Sequence, residues 1–230
     1  MARSWDRGLQ CGARMGSILA SSSPSERAKR WRRRRPSPHG VTILDEQSFL
    51  VLNALHLKKM TSAENLAEIT DLPVDQVRKV VSAAHQQGWL LDMEGELILE
   101  EEGTAQVLGY YRETYAVLAS QEQMSRWHAR FEPINSQFIK FVTEWQQTGG
   151  DAEVQERVIA TVEKLVKLIG DISRVIPRYA SYIRRFERGV TKVDQGNNDF
   201  VCNPMVESLH NIWFEFHEDF LAVLERPRDF

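Results

Sequence analysis

Asp75, Gln76, Lys79, Ser82, Ala83 and Gln86 recur at helical spacing within VDQVRKVVSAAHQQG, and they are residue types that read base edges in the major groove. Gln suits adenine N6/N7, Lys guanine O6/N7, Asp cytosine N4, and Ala83 a thymine methyl. Val74, Val77, Val80, Val81 and Ala84 fall on the opposite, core-facing side, with Arg78 and His85 at the boundary. Any solvated helix displays polar residues of this kind, so its setting decides their meaning. A second group lies in HNIWFEFHEDF. There His210 and His217 are seven apart, Glu207-x-x-His210 repeats the spacing of helical-bundle metal sites, and Glu218 and Asp219 add oxygens. A di-iron site needs a second E-x-x-H, which the chain lacks, so a helix with Trp213, Phe214, Phe216 and Phe220 packed inside is expected, with no metal or cofactor. GxSxG, P-loop, GxGxxG and HExxH patterns are absent, and no enzyme activity is expected.

The elements that must position the first group are legible on either side of it. Asp45 N-caps a first helix through Phe49, Leu50, Leu52 and Leu55 that ends near Lys58–Lys59, where positive charge suits a helix C-terminus. Thr61 or Ser62 caps a short second helix, AENLAEIT, burying Leu66, Ala67 and Ile69. Asp71-Leu72-Pro73 turns the chain, Pro73 opens the third helix at N1, and Gly88 stops it. GWLLDMEGELILEEEGT then reads as strand, two-residue turn, strand and the next helix start. Two short helices about three residues apart, followed by a hairpin, form a winged helix-turn-helix.

The segments SAENLAEITDLPVDQVRKVVSAAHQQGWL and GELILEEEGTAQVL are similar to the MarR-like winged-helix regulators. Leu66, Ala67, Leu72, Val77, Val81, Gly88 and Trp89 occupy the first part of that family's pattern, and Gly95, Leu99 and Gly103 the second. Glu100 stands where the family usually has Thr, which removes a helix-capping hydroxyl. The resemblance spans about 65 residues and implies a dimeric, cytoplasmic transcriptional regulator on double-stranded operator DNA. Ser62, Asp75, Gln76, Arg78, Lys79, Ser82 and Gln86 would then face DNA, with Lys58 and Lys59 beside them. Winged helices also serve as protein-interaction modules. The alternative is therefore an accessory subunit of a larger enzyme that docks a partner through its acidic face and binds no DNA.

Charge divides the chain. Residues 1–40 hold ten Lys/Arg against Asp6 and Glu26, whereas residues 41–119 hold five against thirteen carboxylates. The hairpin stretch 88–104 alone carries six carboxylates and no basic residue, the reverse of a phosphate-gripping surface. The Ser/Pro-rich segment with Arg32 to Arg35 is expected to be disordered. It reads as a phosphate-binding arm, as a nuclear-targeting patch, or as translation from a start placed too early, with Val41 the true start. Composition, 42% apolar and 27% charged, is that of a soluble globular protein. No apolar run approaches the roughly 20 residues that cross a bilayer, so no membrane is expected. Cys11 and Cys202 make no metal or redox spacing.

The fold class is mainly α. A disordered basic segment (1–40) precedes a winged helix-turn-helix domain with a small β-hairpin wing (41–104), followed by an all-helical domain (105–230) expected to dimerise. Pro133 and Pro177 are expected to begin new segments there, and TGGD (148–151) and GNNDFVCNP (196–204) to be loops. Trp127, Phe138, Trp145, Tyr182 and Trp213 are candidates to wall a pocket for a small hydrophobic or aromatic effector.

Overall fold

The computed structural model describes residues 44–226, so the basic segment 1–40 lies outside the described residues. The described chain is mainly helical, with one small three-stranded antiparallel sheet. Helix α1 (Glu46–Lys58) begins at Asp45, whose carboxylate accepts from the Ser48 N–H at 2.7 Å, and ends at Lys59 with φ 69°. Phe49, Val51, Leu52, Asn53, Ala54, Leu55 and Leu57 are all buried, leaving α1 little solvent face. A helix covered on nearly every side must be central. It is packed by α2 (Ala63–Thr70), by the sheet, by α4 (Glu101–Ala119) and by α9 (Leu209–Val223).

Ser62 caps α2 through the Asn65 N–H at 3.2 Å. Helix α3 (Val74–Gln86) starts one residue later than the sequence implies, with Pro73 as its N-cap. Gly88, at φ 72°, turns the chain out of it. Strands β2 (Leu90–Met93) and β3 (Glu96–Leu99) are joined by Glu94 and Gly95, both at positive φ (58° and 95°), as a type I′ turn requires. The Asp92 carboxylate accepts from the Gly95 N–H at 2.8 Å and fixes that turn. The third strand, β1 (Met60–Thr61), was not foreseen from the sequence, since two residues carry no periodicity. The order is β1-β3-β2, with Met60 and Leu91 both opposite Ile98 and Met93 opposite Glu96.

Glu100 N-caps α4 without a side-chain hydrogen bond. Gly103 is required by contact. A Cβ there would lie 2.2 Å from the Trp89 carbonyl oxygen, whose carbonyl already accepts the Glu100 N–H at 2.8 Å.

Helix α5 (Glu122–Thr148) corrects the expected break at Pro133, which lies inside it. An interior proline costs about 3 kcal/mol through its lost donor and its clash with the preceding turn. The buried stripe Met124, Trp127, Phe131, Phe138 and Val142 runs on both sides of Pro133 and outweighs that cost. The chain breaks instead at Ser120–Gln121, between α4 and α5. Gly149 and Gly150, both at positive φ, then reverse it, and Asp151 caps α6 (Ala152–Ile172), which packs along α5. A 3₁₀ turn (Pro177–Tyr179) opens α7 (Ala180–Asp194), and the expected 196–204 loop contains a short helix, α8 (Asp199–Cys202). No helix among the described residues is long and apolar enough to cross a membrane.

Candidate interaction surface of the third helix and the sheet

Helix α3 divides as its sequence requires. Val77 and Ala84 are buried, Val80 and Val81 half-buried, and Asp75, Arg78, Lys79, Ser82 and Gln86 are exposed, with Gln76 between. Its charges are partly committed to one another. Arg78 donates to Glu64 at 2.7 Å and lies 3.9 Å from Asp75, and its hydrogen bond holds the Glu64 carboxyl below its ordinary pKa. Ser82 accepts from Gln86 at 3.5 Å, while the Ser62 hydroxyl is used in capping. From Ser62 to Glu102 there are ten carboxylates and two cations, Arg78 and Lys79.

Lys58, expected to face phosphate, is turned inward. Its Nζ sits 2.7 Å from Glu207 and 2.7 Å from Glu215, while Lys59 remains exposed. Arg185 binds the same two carboxylates, its Nε donating to Glu207 at 2.9 Å. Burial works to raise the Glu207 carboxyl, but Arg185 and then Lys58 hold it below its usual value. Glu207 thus meets two cations, and burial lowers the pKa of His210.

A second buried cluster forms around Asp219, which is 1% exposed. Its carboxylate accepts from Arg178 through two nitrogens, one at 2.6 Å, from Tyr111 at 2.9 Å, from Tyr182 at 3.0 Å and from Tyr179 at 3.3 Å. Asn53 of α1 donates to it at 3.4 Å, and the Asn53 amide oxygen, 2.8 Å from the Tyr111 hydroxyl, shares that hydroxyl's one proton with Asp219. Burial, then the Asp219 charge, raises all three tyrosine hydroxyls well above their ordinary pKa. Sequence reasoning missed this cluster, although a signal was present. Arg185 occupies the buried stripe Tyr182–Arg185–Phe186–Gly189, and Glu215 and Asp219 the stripe Ile212–Glu215–Phe216–Asp219–Phe220. Charges in phase with apolar residues are buried and need partners.

Of the five aromatic pocket candidates, Trp127, Phe138, Tyr182 and Trp213 are buried and Trp145 is half-buried. Phe138 and Trp213 stack at 3.8 Å, Trp127 donates its indole N–H to the Leu168 carbonyl at 2.9 Å, and Tyr182 belongs to the Asp219 cluster. Trp145 stands apart beside Gly150, its buried indole N–H without a partner among the described residues. Trp127 also contributes to an open groove of about 630 Å³ whose rim carries Arg126, Arg130 and Arg174.

The sheet is two-faced. Leu90, Leu97 and Thr61 point inward and are buried, whereas Met60 is 54%, Leu91 47% and Met93 58% exposed, with Ile98 half-buried. Register places Met60, Ile98 and Leu91 in one row across all three strands, and Met93 beside Glu96 in the next.

Comparison with known proteins places the chain beside none of them: no family model, no curated protein and no solved structure matches it.

Proposed function

We propose that residues 44–104 are a winged helix-turn-helix, MarR-like in its residue pattern, that works by docking a protein partner, as an interaction module or an accessory subunit. The fold reading is supported by the order of helix, strand, two helices and I′ hairpin. The choice of partner rests on one observation, the charge of the reading side. The segment from Ser62 to Glu102 holds ten carboxylates against its own two cations; Arg184 and Arg188 of α7 meet Asp71 and Glu68, Arg78 is paired, and Lys58 is turned inward. A DNA reader neutralises several phosphates, each contact adding about 0.9 to the salt slope, and this surface has few cations to offer.

Titration with duplex DNA from upstream of its own gene, from low to physiological salt, tests the reading. No sequence-specific complex is expected. A complex that weakens steeply with salt and is lost in Lys79→Ala/Gln86→Ala overturns it.

A second reading, a dimeric DNA-binding regulator, is favoured by the exposure of Lys79, Ser82 and Gln86 on one face of α3. The same titration decides between the two.

A further inference from the structure

We infer that the three-stranded sheet is completed by a strand from a partner protein, one that alternates apolar and basic side chains and lies along the free edge of β2. This rests on the protein-docking reading above and names where the partner sits and what it carries. Three observations converge on that occupant.

The first is the outward face. A sheet with one solvated side normally alternates apolar inward and polar outward. On β2 the pattern is reversed: Leu91 and Met93 face solvent, and Asp92 stands on the same side as the buried Leu90 and Leu97. Single exposed apolar residues are ordinary. Here Met60, Ile98 and Leu91 form a continuous row that Met93 extends, and two of the four are methionines, whose flexible side chains adapt to a partner.

The second is the edge. The order β1-β3-β2 leaves β2 with one unpaired side. Met93 and Glu96 flank a two-residue turn and exchange bonds, so Leu90 and Asp92 present their backbone groups outward. Isolated proteins guard such edges with lysine, proline or an inward-pointing charge. LLDM carries no lysine or proline, and its one charge, Asp92, is what a basic partner side chain would meet.

The third is charge. Residues 91–102 hold six carboxylates and no cation. Glu96 shares the apolar face with Met93, Glu94 is in the turn, and Asp92 lines a groove of about 370 Å³ between α3 and the sheet, across from the paired Glu64 and Arg78. A strand added to β2 would present apolar side chains beside Leu91 and Met93, and its alternate side chains toward Asp92. Basic residues at those alternate positions meet the carboxylates; acidic ones are repelled. Strand addition of this kind draws affinity from main-chain bonds and selectivity from alternate side chains.

The test uses the full chain and three fluorescent heptapeptides at physiological salt: alternating Lys/Val, alternating Glu/Val, and alternating Lys/Ser with the charge of the first. Fluorescence anisotropy is expected to show binding of the Lys/Val peptide, and at least tenfold weaker binding of the other two. Leu91→Thr/Met93→Thr, which changes only exposed side chains to a strand-compatible residue, is expected to weaken Lys/Val binding at least tenfold while leaving the thermal melt unchanged. Equal binding of Lys/Ser overturns the proposal, as does unchanged binding by the variant. A wild-type dimer that the variant converts to monomer in sedimentation also overturns it, because the face is then covered by a second copy. Duplex DNA titrated into the same samples separates the two claims. DNA binding alongside Lys/Val binding removes the protein-docking reading and keeps the strand site. Failure of both ligands removes the strand site and keeps the reading.

Discussion

Replacing Asp219 with leucine leaves the Arg178 guanidinium, whose side chain is 8% exposed, buried without its counter-charge. Removing one member of a buried ion pair costs about 3–5 kcal/mol. Tyr111 keeps Asn53 as a second partner, whereas Tyr179 and Tyr182 lose their best acceptor, adding roughly 1 kcal/mol each. The expected loss is therefore about 5–7 kcal/mol, a large share of the roughly 5–15 kcal/mol that holds a domain of this size. Arg178→Met/Asp219→Leu replaces both charges with apolar groups of similar volume and is expected to cost no more than about 2 kcal/mol, because no unpaired ion remains. Urea unfolding followed by tryptophan fluorescence reports all of these, since Trp127 and Trp213 lie in the adjoining core. With Arg178→Met added, the cycle should show coupling of at least about 3 kcal/mol. A single Asp219→Leu cost below about 1 kcal/mol, or a double variant as unstable as the sum of its singles, would refute the assignment of Asp219 as the buried counter-ion.

Burial, then Lys59, lowers the His56 pKa from 6.5 to about 4, against a smaller opposing pull from Asp219. The unfolded chain therefore binds a proton between those values that the folded chain refuses, and stability falls as pH drops from about 6.5 to about 4. Allowing for its remaining exposure, His56→Gln should recover about 2 kcal/mol at pH 4.5 relative to its effect at pH 7, read from urea midpoints. Gly103→Ala should destabilise by about 3 kcal/mol or more, because its Cβ meets the Trp89 backbone at 2.2 Å. At Gly189 the obstacle is the Leu209 side chain at 2.7 Å, which can rotate, so Gly189→Ala should cost about 1 kcal/mol. Thermal melts that fail to separate the two glycine variants would contradict the packing. Pro133→Ala should raise stability by about 1–3 kcal/mol by restoring a helical donor, visible as a higher melting temperature.

The parts legible in the sequence were those governed by local rules. Asp45 and Ser62 cap because a short oxygen-bearing side chain reaches the free N–H groups of the first turn, and the hairpin turns at Glu94-Gly95 because Gly95 adopts positive φ freely and Asp92 holds its N–H. The valine stripe of α3 follows from helical period alone. Placements that depend on distant residues were not legible. Lys58 looked like a cation at a helix end, and only the arrival of Glu207 and Glu215, about 150 residues later, turns it inward. The break expected at Pro133 rested on one residue's geometry, whereas the observed continuity depends on apolar contacts along 27 residues. Of the candidate DNA-facing set, Asp75, Arg78, Lys79, Ser82 and Gln86 do lie on one exposed side. Aromatic residue type alone does not tell a packed core from a cavity wall.

The Asp219 cluster has a consequence for synthesis. Asn53 of the central helix meets a carboxylate 166 positions further along, so α1 leaves the ribosome long before its partner exists. At roughly 5–20 residues per second the wait is about 10–30 s. Throughout that interval α1 lacks α9, one of the helices that pack it, and hydrophobic surface stands open to chaperones and to other nascent chains. The wing-bearing half is thus a late finisher despite being made first, and a codon change that slows translation between the hairpin and α9 should lower the soluble yield without altering a single residue.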